Sequence, residues 1–483
     1  MTRLTAYIAR FTGFERDARV FLIAALVSGA AISLYWIDFN LYLAALGLTP
    51  ATIGLIATAG ALASALASFP ASLLSDRIGR RLVLAGGLVL MLVATIGFLV
   101  ASGPLALACL AAAYGAGQQT FFVVQNPFLA ERSRPDQRSE LFALAFAIEN
   151  VTNIVAAVLG GAIAGAVASA GGYGDQSPEA YRVILVLMAG LMTVAVAAVF
   201  LIGDDRPGRR AALALRWGAS ADPVERSTTV TGSAELGASA EVGESALLGG
   251  SALVGPSLGE PASFPAAAYR ARSPGSRRWL QVGDRRTFFR LLLPGFLISL
   301  GAGQVIPFLN LFIRGKFGLD LTSLNLVFAI TSLGTVVAIL LQPALAHRFG
   351  KIGSVVLVQG ASIPFLVVLG FSPTLWTVVV AMAVRNSLMN AGNPIFNAFA
   401  MERVGAAERA TLSASMSLLW SVGWVIAGPW YSLLQAGLGF DAAYAVNFVT
   451  IILLYSVATV LYWVWFGRDE RAARMAVPAR PTG

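Results

Sequence analysis

The chain has 483 residues, of which 57% are hydrophobic and only 12% charged. A soluble domain carries about 25% charged residues, so this chain cannot cover a water-facing surface of its size and reads as a polytopic membrane protein. The net charge of +9 sits in loops between apolar runs, which argues against a nucleic-acid partner.

Residues 1–19 hold Arg3, Arg10, Arg16 and Arg19. They read as a cytoplasmic N-terminal segment, either an interfacial helix or a tail. The apolar run that follows is too long for a signal-peptide core and reads as an uncleaved first span. A spanning helix needs about 20 apolar residues. Six such runs lie near 20–46, 53–74, 82–101, 105–128, 141–168 and 183–202, forming a first bundle over 20–202. Residues 203–287 break the pattern with Gly, Ala, Ser, Pro and Glu. They read as a cytoplasmic linker, largely disordered, whose basic flanks lie near anionic headgroups. Six further runs lie near 288–313, 323–345, 354–370, 375–399, 411–434 and 444–466, a second bundle over 288–466, and 467–483 form a cytoplasmic tail.

Alternate loops carry Arg77, Arg80 and Arg81, then Arg132, Arg134 and Arg138, then Arg348 and Lys351, then Arg403 and Arg409. The positive-inside rule puts those loops and both termini in the cytoplasm of an inner or plasma membrane. Cys109 and His347 are the single cysteine and histidine. They leave no disulfide framework, no CxxC pair and no paired-histidine metal site. Neither Gly315-Lys316 nor Gly350-Lys351 continues as a P-loop. No cofactor, metal or catalytic signature is read, so the chain is not expected to be an enzyme.

The two bundles repeat each other at a spacing of 271 residues. Asp76-Arg77-Ile78-Gly79-Arg80-Arg81 is echoed by His347-Arg348-Phe349-Gly350-Lys351, and Gly47-Leu48 by Gly318-Leu319. Asn126, Phe128, Glu131, Arg132 and Arg138 are echoed by Asn397, Phe399, Glu402, Arg403 and Arg409. Near the first helix of each half the spacing slips to 270, so that Asn40-Leu41-Tyr42 meets Asn310-Leu311-Phe312. Gly79 allows the tight turn because it reaches φ > 0 without steric cost.

The Asp76–Arg81 stretch resembles the loop between helices 2 and 3 of the major facilitator superfamily, with Ser72 replacing the first glycine of that pattern. The resemblance implies an all-α membrane protein with twelve transmembrane helices in two pseudo-symmetric six-helix bundles. It places a substrate site between them near the midplane. It also implies that Asp76, Arg77, Gly79, Arg80, Arg348 and Gly350 form gating loops. Asp76 would meet the positive end of the eleventh helix when the protein opens outward. The same stretch also serves simply to turn the chain and set its topology.

Three charges lie inside spans: Asp38, Glu149 and Arg385. Such residues face a cavity or a partner, because a charge at the helix centre costs about 2.5–3.5 kcal/mol. Asp38 reads as a proton carrier or as a static hydrogen-bonded acid. Arg385 reads as an anion holder or as the ion-pair partner of Glu149 or Asp38. Asn40, Gln118, Gln119, Asn150, Asn310 and Asn390 add amides that either line a wet path or bond helix to helix. Asn393-Pro394 is expected to interrupt the tenth helix.

Drug/proton antiporters of the superfamily usually carry an arginine in helix 4 and a Gly-Pro-x-x-Gly-Gly pattern in helix 5. This chain lacks that arginine and keeps only Gly160-Gly161 of the pattern. The reading is a monomeric secondary transporter of a small organic solute, proton-coupled and exporting amphipathic compounds. The alternatives are import or uniport of a polar or anionic nutrient, and a transporter-like sensor that does not translocate.

Overall fold

The computed structural model describes residues 14–132, 138–172, 177–203, 284–334, 350–405 and 408–475. Arg348, His347 and residues 204–283 of the expected linker lie outside them, as do the side chains of Asp76 and Asn150.

The first half contains α1 (Arg16–Ala45), α2 (Pro50–Ile78), α3 (Arg80–Val100), α4 (Pro104–Glu131), α5 (Arg138–Gly171) and α6 (Pro178–Phe200). The second contains α7 (Arg285–Phe317), α8 (Leu321–Gly334 of the described residues), α9 (Lys351–Phe371), α10 (Leu375–Glu402), α11 (Arg409–Leu438) and α12 (Phe440–Met475). Among the described residues ten helices are long and apolar enough to cross a membrane. Of the other two, α10 has the length, 28 residues, but its amides and Arg385 lower its hydropathy, and the described part of α8 is short.

Local chemistry sets the ends of these helices. Pro50, Pro104 and Pro178 open α2, α4 and α6 at positions where a missing N–H costs nothing. Thr49 and Ser177 cap two of them through their hydroxyls. The turns close on glycines with positive φ that obey the repeat: Gly47 (82°) with Gly318 (62°), and Gly79 (106°) with Gly350 (80°). A side chain at those angles would be strained.

Packing repeats as well. In the first half α1 lies against α5 and α6, α3 against α4 and α6, and α2 against α4. In the second, α7 lies against α11 and α12, and α9 against α10 and α12. The ion pair Arg80–Glu131 (2.7 Å) has its counterpart in Lys351–Glu402. The guanidinium of Arg132 lies over the Phe128 ring at 5.7 Å, and that of Arg403 over Phe399 at 4.9 Å. Lys351–Glu402 is exposed on both sides, and pairs of that kind contribute only about 0–1 kcal/mol, so it fixes a helix end rather than stability.

Apolar side chains face outward, among them Val100, Leu105 and Leu433, while Asp38, Gln118, Asn310, Arg385 and Asn447 are buried. This is the distribution a bilayer demands.

One sequence expectation is corrected. Helix α10 runs unbroken from Leu375 to Glu402 through Asn393-Pro394. The interruption falls instead in α7, where Ile306–Phe308 form a 3-10 turn between Arg285–Val305 and Leu309–Phe317. Pro307 has no N–H to continue the α-helical ladder there.

Candidate functional site: a cavity closed at one end

Helices from both halves surround a cavity of about 60 Å³, room for several waters. Helix α1 contributes Tyr35, Trp36, Phe39 and Asn40, at the i, i+1, i+4 and i+5 positions of one face. Small residues of α2, among them Thr58 and Ser64, let the wall approach closely, and α4 adds Gly115 and Gln118. The second half supplies Gly303, Pro307 and Phe308 from α7 and Trp424 and Gly428 from α11. Trp36 and Trp424 meet edge to face across the halves, with centroids 6.4 Å apart. Tyr35 is stacked on Tyr114 at 3.8 Å, and Phe308 on Tyr431 at 3.7 Å.

One end of this cavity is sealed by hydrogen bonds between the halves. Asn40 Nδ2 donates to the Pro307 carbonyl at 2.6 Å, and Asn310 Nδ2 donates to the Ile37 carbonyl at 2.6 Å. The two bonds are related by the 270-residue repeat, since donor and acceptor are three residues apart in each half. The break in α7 frees the Pro307 carbonyl for this role. Nearby, Ser432 Oγ donates to the Ala51 carbonyl at 2.7 Å, and Thr322 Oγ1 to the Gly161 carbonyl at 3.0 Å. Arg314 of α7 donates to the Tyr181 hydroxyl of α6.

Asp38 lies at the same end, pinned where α1, α5 and α8 meet. It is 3% exposed. Oδ1 accepts from Asn325 Nδ2 at 3.1 Å, while Oδ2 has no hydrogen-bond partner. Gly161 makes room for Asn325: a Cβ there would fall 2.6 Å from the Asn325 Cβ.

The remaining candidates separate. Glu149 is half-buried on α5 with no hydrogen-bond or ion-pair partner among the described residues. Arg385 is buried in the second half, where Nη2 donates to the Tyr455 hydroxyl at 3.0 Å and Nη1 to Asn386 Oδ1 at 2.9 Å. The expected pairing of Arg385 with Glu149 or Asp38 is not present among the described residues. Gln119 and Asn390 are buried outside the lining described above. Of the motif residues, Arg77 is exposed, Arg80 pairs with Glu131, and Gly79 and Gly350 make the turns.

Sequence reasoning passed over Trp36, Trp424 and Pro307. The available signal was position, because tryptophan in spans concentrates at the membrane interfaces whereas Trp424 stands mid-helix in α11.

The family model of the Major Facilitator Superfamily matches residues 21–428 and again 291–481. No curated protein matches this chain. Its fold is shared by a bacterial homolog of the human lysosomal transporter Spinster in an inward-facing, occupied conformation (TM-score 0.64, 13% identity, 92% of this chain and 95% of the other). It is also shared by the nucleoside transporter NupG (0.61, 13%, 94% and 99%) and by an inward-facing bacterial homologue of the iron transporter ferroportin (0.61, 14%, 93% and 98%). By the span of the family match the chain belongs to the Major Facilitator Superfamily, and the protein is a multi-pass membrane transporter of small molecules rather than an enzyme.

Proposed function

We propose that this chain is a monomeric, proton-coupled secondary transporter that exports amphipathic organic solutes by alternating access. The reciprocal asparagine clasp carries the reading. It closes one end of a cavity shared by two similar halves, as a gate between rocking bundles must. The bonds are few and directed at backbone carbonyls, so they can break without unfolding either half.

The arginine-rich loops and both termini face the cytoplasm of an inner or plasma membrane, and the clasp end faces outward. The ferroportin homologue supports an inward-facing assignment, since its inward-facing form superposes at a TM-score of 0.61 and its outward-facing form at 0.55. Residues 203–287 join the bundles 20–202 and 288–466 as a cytoplasmic linker.

In this scheme Asp38 couples protons. Its carboxyl is sealed while α1, α5 and α8 are together and meets outside water when they part. Glu149, on α5 toward the arginine-rich end, is the matching candidate for the inner side. Asn40 and Gln118 face the solute, with Gln119, Asn150, Asn310 and Asn390 forming the surrounding polar shell. Asp76, Arg77, Gly79, Arg80, Arg348 and Gly350 form the inner gate. The apolar, aromatic lining with Asn40 and Gln118 supports an amphipathic solute.

Internal pH in proteoliposomes tests this. An imposed pH gradient and a solute panel should give a solute-dependent proton flux that disappears in Asp38→Asn. Clear counterflow of a solute with no proton movement would instead make the protein a uniporter and Asp38 a structural acid.

A second reading rests on Arg385. Its guanidinium is buried with neutral partners, and Nε has none. Import of an anionic nutrient would give that charge its counter-ion. Uptake that fails in Arg385→Gln while Asp38→Asn still transports would favour it.

A further inference from the structure

We infer that the arginine-rich end of α7, where it meets α12, is a binding site for one anionic phospholipid. Such a site requires nothing of the cavity between the halves.

Helix α7 begins Arg285-Arg286-Thr287-Phe288-Phe289-Arg290. Phe288, Leu291, Pro294 and Ile298 are buried, so that face packs into the bundle. The opposite face carries Arg285, Arg286 and Phe289, and it continues through Leu293 and Phe296, four and seven residues beyond Phe289. Phe289 is 58% exposed. Its ring centroid lies 6.3 Å from that of Trp465 on α12. A tryptophan at the end of a span sits at the membrane–water interface. Arg285 and Arg286 stand one turn, about 5 Å, further from the membrane centre, at the depth of the lipid phosphates. The apolar stripe from Phe289 to Phe296 runs the other way, along the first carbons of an acyl chain.

Charge selects an anionic headgroup. Both guanidiniums are exposed, and neither is in an ion pair among the described residues. Arg290 adds a third cation one turn along from Arg286. The neighbouring acid, Asp284, is turned onto the helix end. There its Oδ1 accepts from the Arg286 N–H at 2.9 Å and its Oδ2 from the Thr287 hydroxyl at 2.5 Å. Three arginines against one carboxylate leave a positive patch, and the planar guanidinium matches two phosphate oxygens at once.

The first half lacks this arrangement. At the 270-residue spacing Arg285 and Phe289 answer to Glu15 and Arg19, and only Arg286 keeps its charge, in Arg16. Asp17 beside them is paired with Arg132. The departures from the repeat therefore fall where a headgroup needs a cation and a lipid chain needs a ring.

Native mass spectrometry of the purified full-length protein tests this, with dioleoyl phosphatidylglycerol and dioleoyl phosphatidylcholine as probes. The first phosphatidylglycerol should bind at least about tenfold more tightly than the first phosphatidylcholine. One arginine at the surface is worth about fivefold in affinity for an anionic lipid. Arg286→Gln should therefore weaken phosphatidylglycerol about fivefold, and Arg285→Gln with Arg286→Gln about ten- to thirtyfold. Arg285→Lys with Arg286→Lys should keep it within about threefold. Arg16→Gln, the matching change in the first half, should move it by less than about twofold. Phosphatidylglycerol with a photoactivatable acyl chain should label α7 and α12 near Phe289 and Trp465.

Equal affinity for the two lipids, an Arg16→Gln effect as large as that of Arg286→Gln, or labelling confined to other helices would overturn the inference. So would a lysine pair as weak as the glutamine pair, since a site read by charge keeps its ligand there. Solute counterflow is measured separately, so the transport reading stands or falls on its own.

Discussion

The two clasp asparagines bridge the halves from opposite sides. Each donates at 2.6 Å, Asn40 to the Pro307 carbonyl at the break in α7 and Asn310 to the Ile37 carbonyl within the unbroken α1. Removing the Asn40 side chain leaves the Pro307 carbonyl unpaired, a cost of about 1–3 kcal/mol, whereas removing that of Asn310 loses one hydrogen bond, about 0.5–1.5 kcal/mol. Because the bonds exist only when this end is closed, the cost falls on the closed state and not on the fold. Asn40→Ala should raise the reactivity of a cysteine placed at Ala57 toward an outside reagent by about five- to a hundredfold at equilibrium, and Asn310→Ala by about two- to tenfold. Equal reactivity in mutant and parent would show that the clasp does not hold the gate. Arg385 presents a different case. It lies within one half, so Tyr455→Phe should lower thermal stability by about 1–3 kcal/mol without shifting that reactivity. The residue types at these sites were readable in the chain. The pairing was not, because Asn40 and Pro307 are 267 positions apart and a long-range contact leaves no local periodicity.

At the scale of elements, glycines mark two kinds of close helix crossing. Gly115 of α4 faces the Gly60 backbone of α2 inside the first half, where a Cβ would lie 3.0 Å from the Gly60 carbonyl carbon and 2.8 Å from Ser64 Oγ. The backbone cannot yield, so Gly115→Val should lower expression and melting temperature, read by fluorescence-detected size exclusion. Gly428 of α11 faces α2 of the other half. A Cβ there would run into the Thr58 hydroxyl and sit 3.2 Å from the Gly54 carbonyl. Those helices need only separate to make room. Gly428→Val should therefore fold normally and hold the clasp end open, and Thr58→Ala should restore part of the closure. A melting temperature that falls as far in Gly428→Val as in Gly115→Val would refute this distinction. Helix positions followed from apolar runs of spanning length, and the turn glycines from their spacing. The break in α7 was missed and one in α10 expected wrongly, because a proline alone does not say whether neighbouring groups hold the helix straight. In α7 the freed Pro307 carbonyl finds Asn40.

At the scale of the whole molecule, duplication organises both the fold and the gate. The turns at Gly47 and Gly318, the turns at Gly79 and Gly350, and the pairs Arg80–Glu131 and Lys351–Glu402 are each made twice. Two similar halves joined at one end can rock about the cavity between them. Sidedness then follows from charge. Single cysteines introduced at residue 210 and near the C-terminus should both react with an impermeant reagent only after the cell is opened, and a reagent at Gly318 should react from outside. Reversal of that pattern would invert every directional statement made for this transporter. The chain by itself determined its class, its spans, its repeat and its family resemblance, because bilayer thickness and backbone satisfaction act on each segment separately. Only the tertiary structure decided that Arg385 pairs with Tyr455 rather than an acid, that Asp38 is sealed by Asn325, and that Trp36 and Trp424 frame one cavity. Those outcomes depend on which helix faces which, and that choice is made by packing between segments hundreds of residues apart.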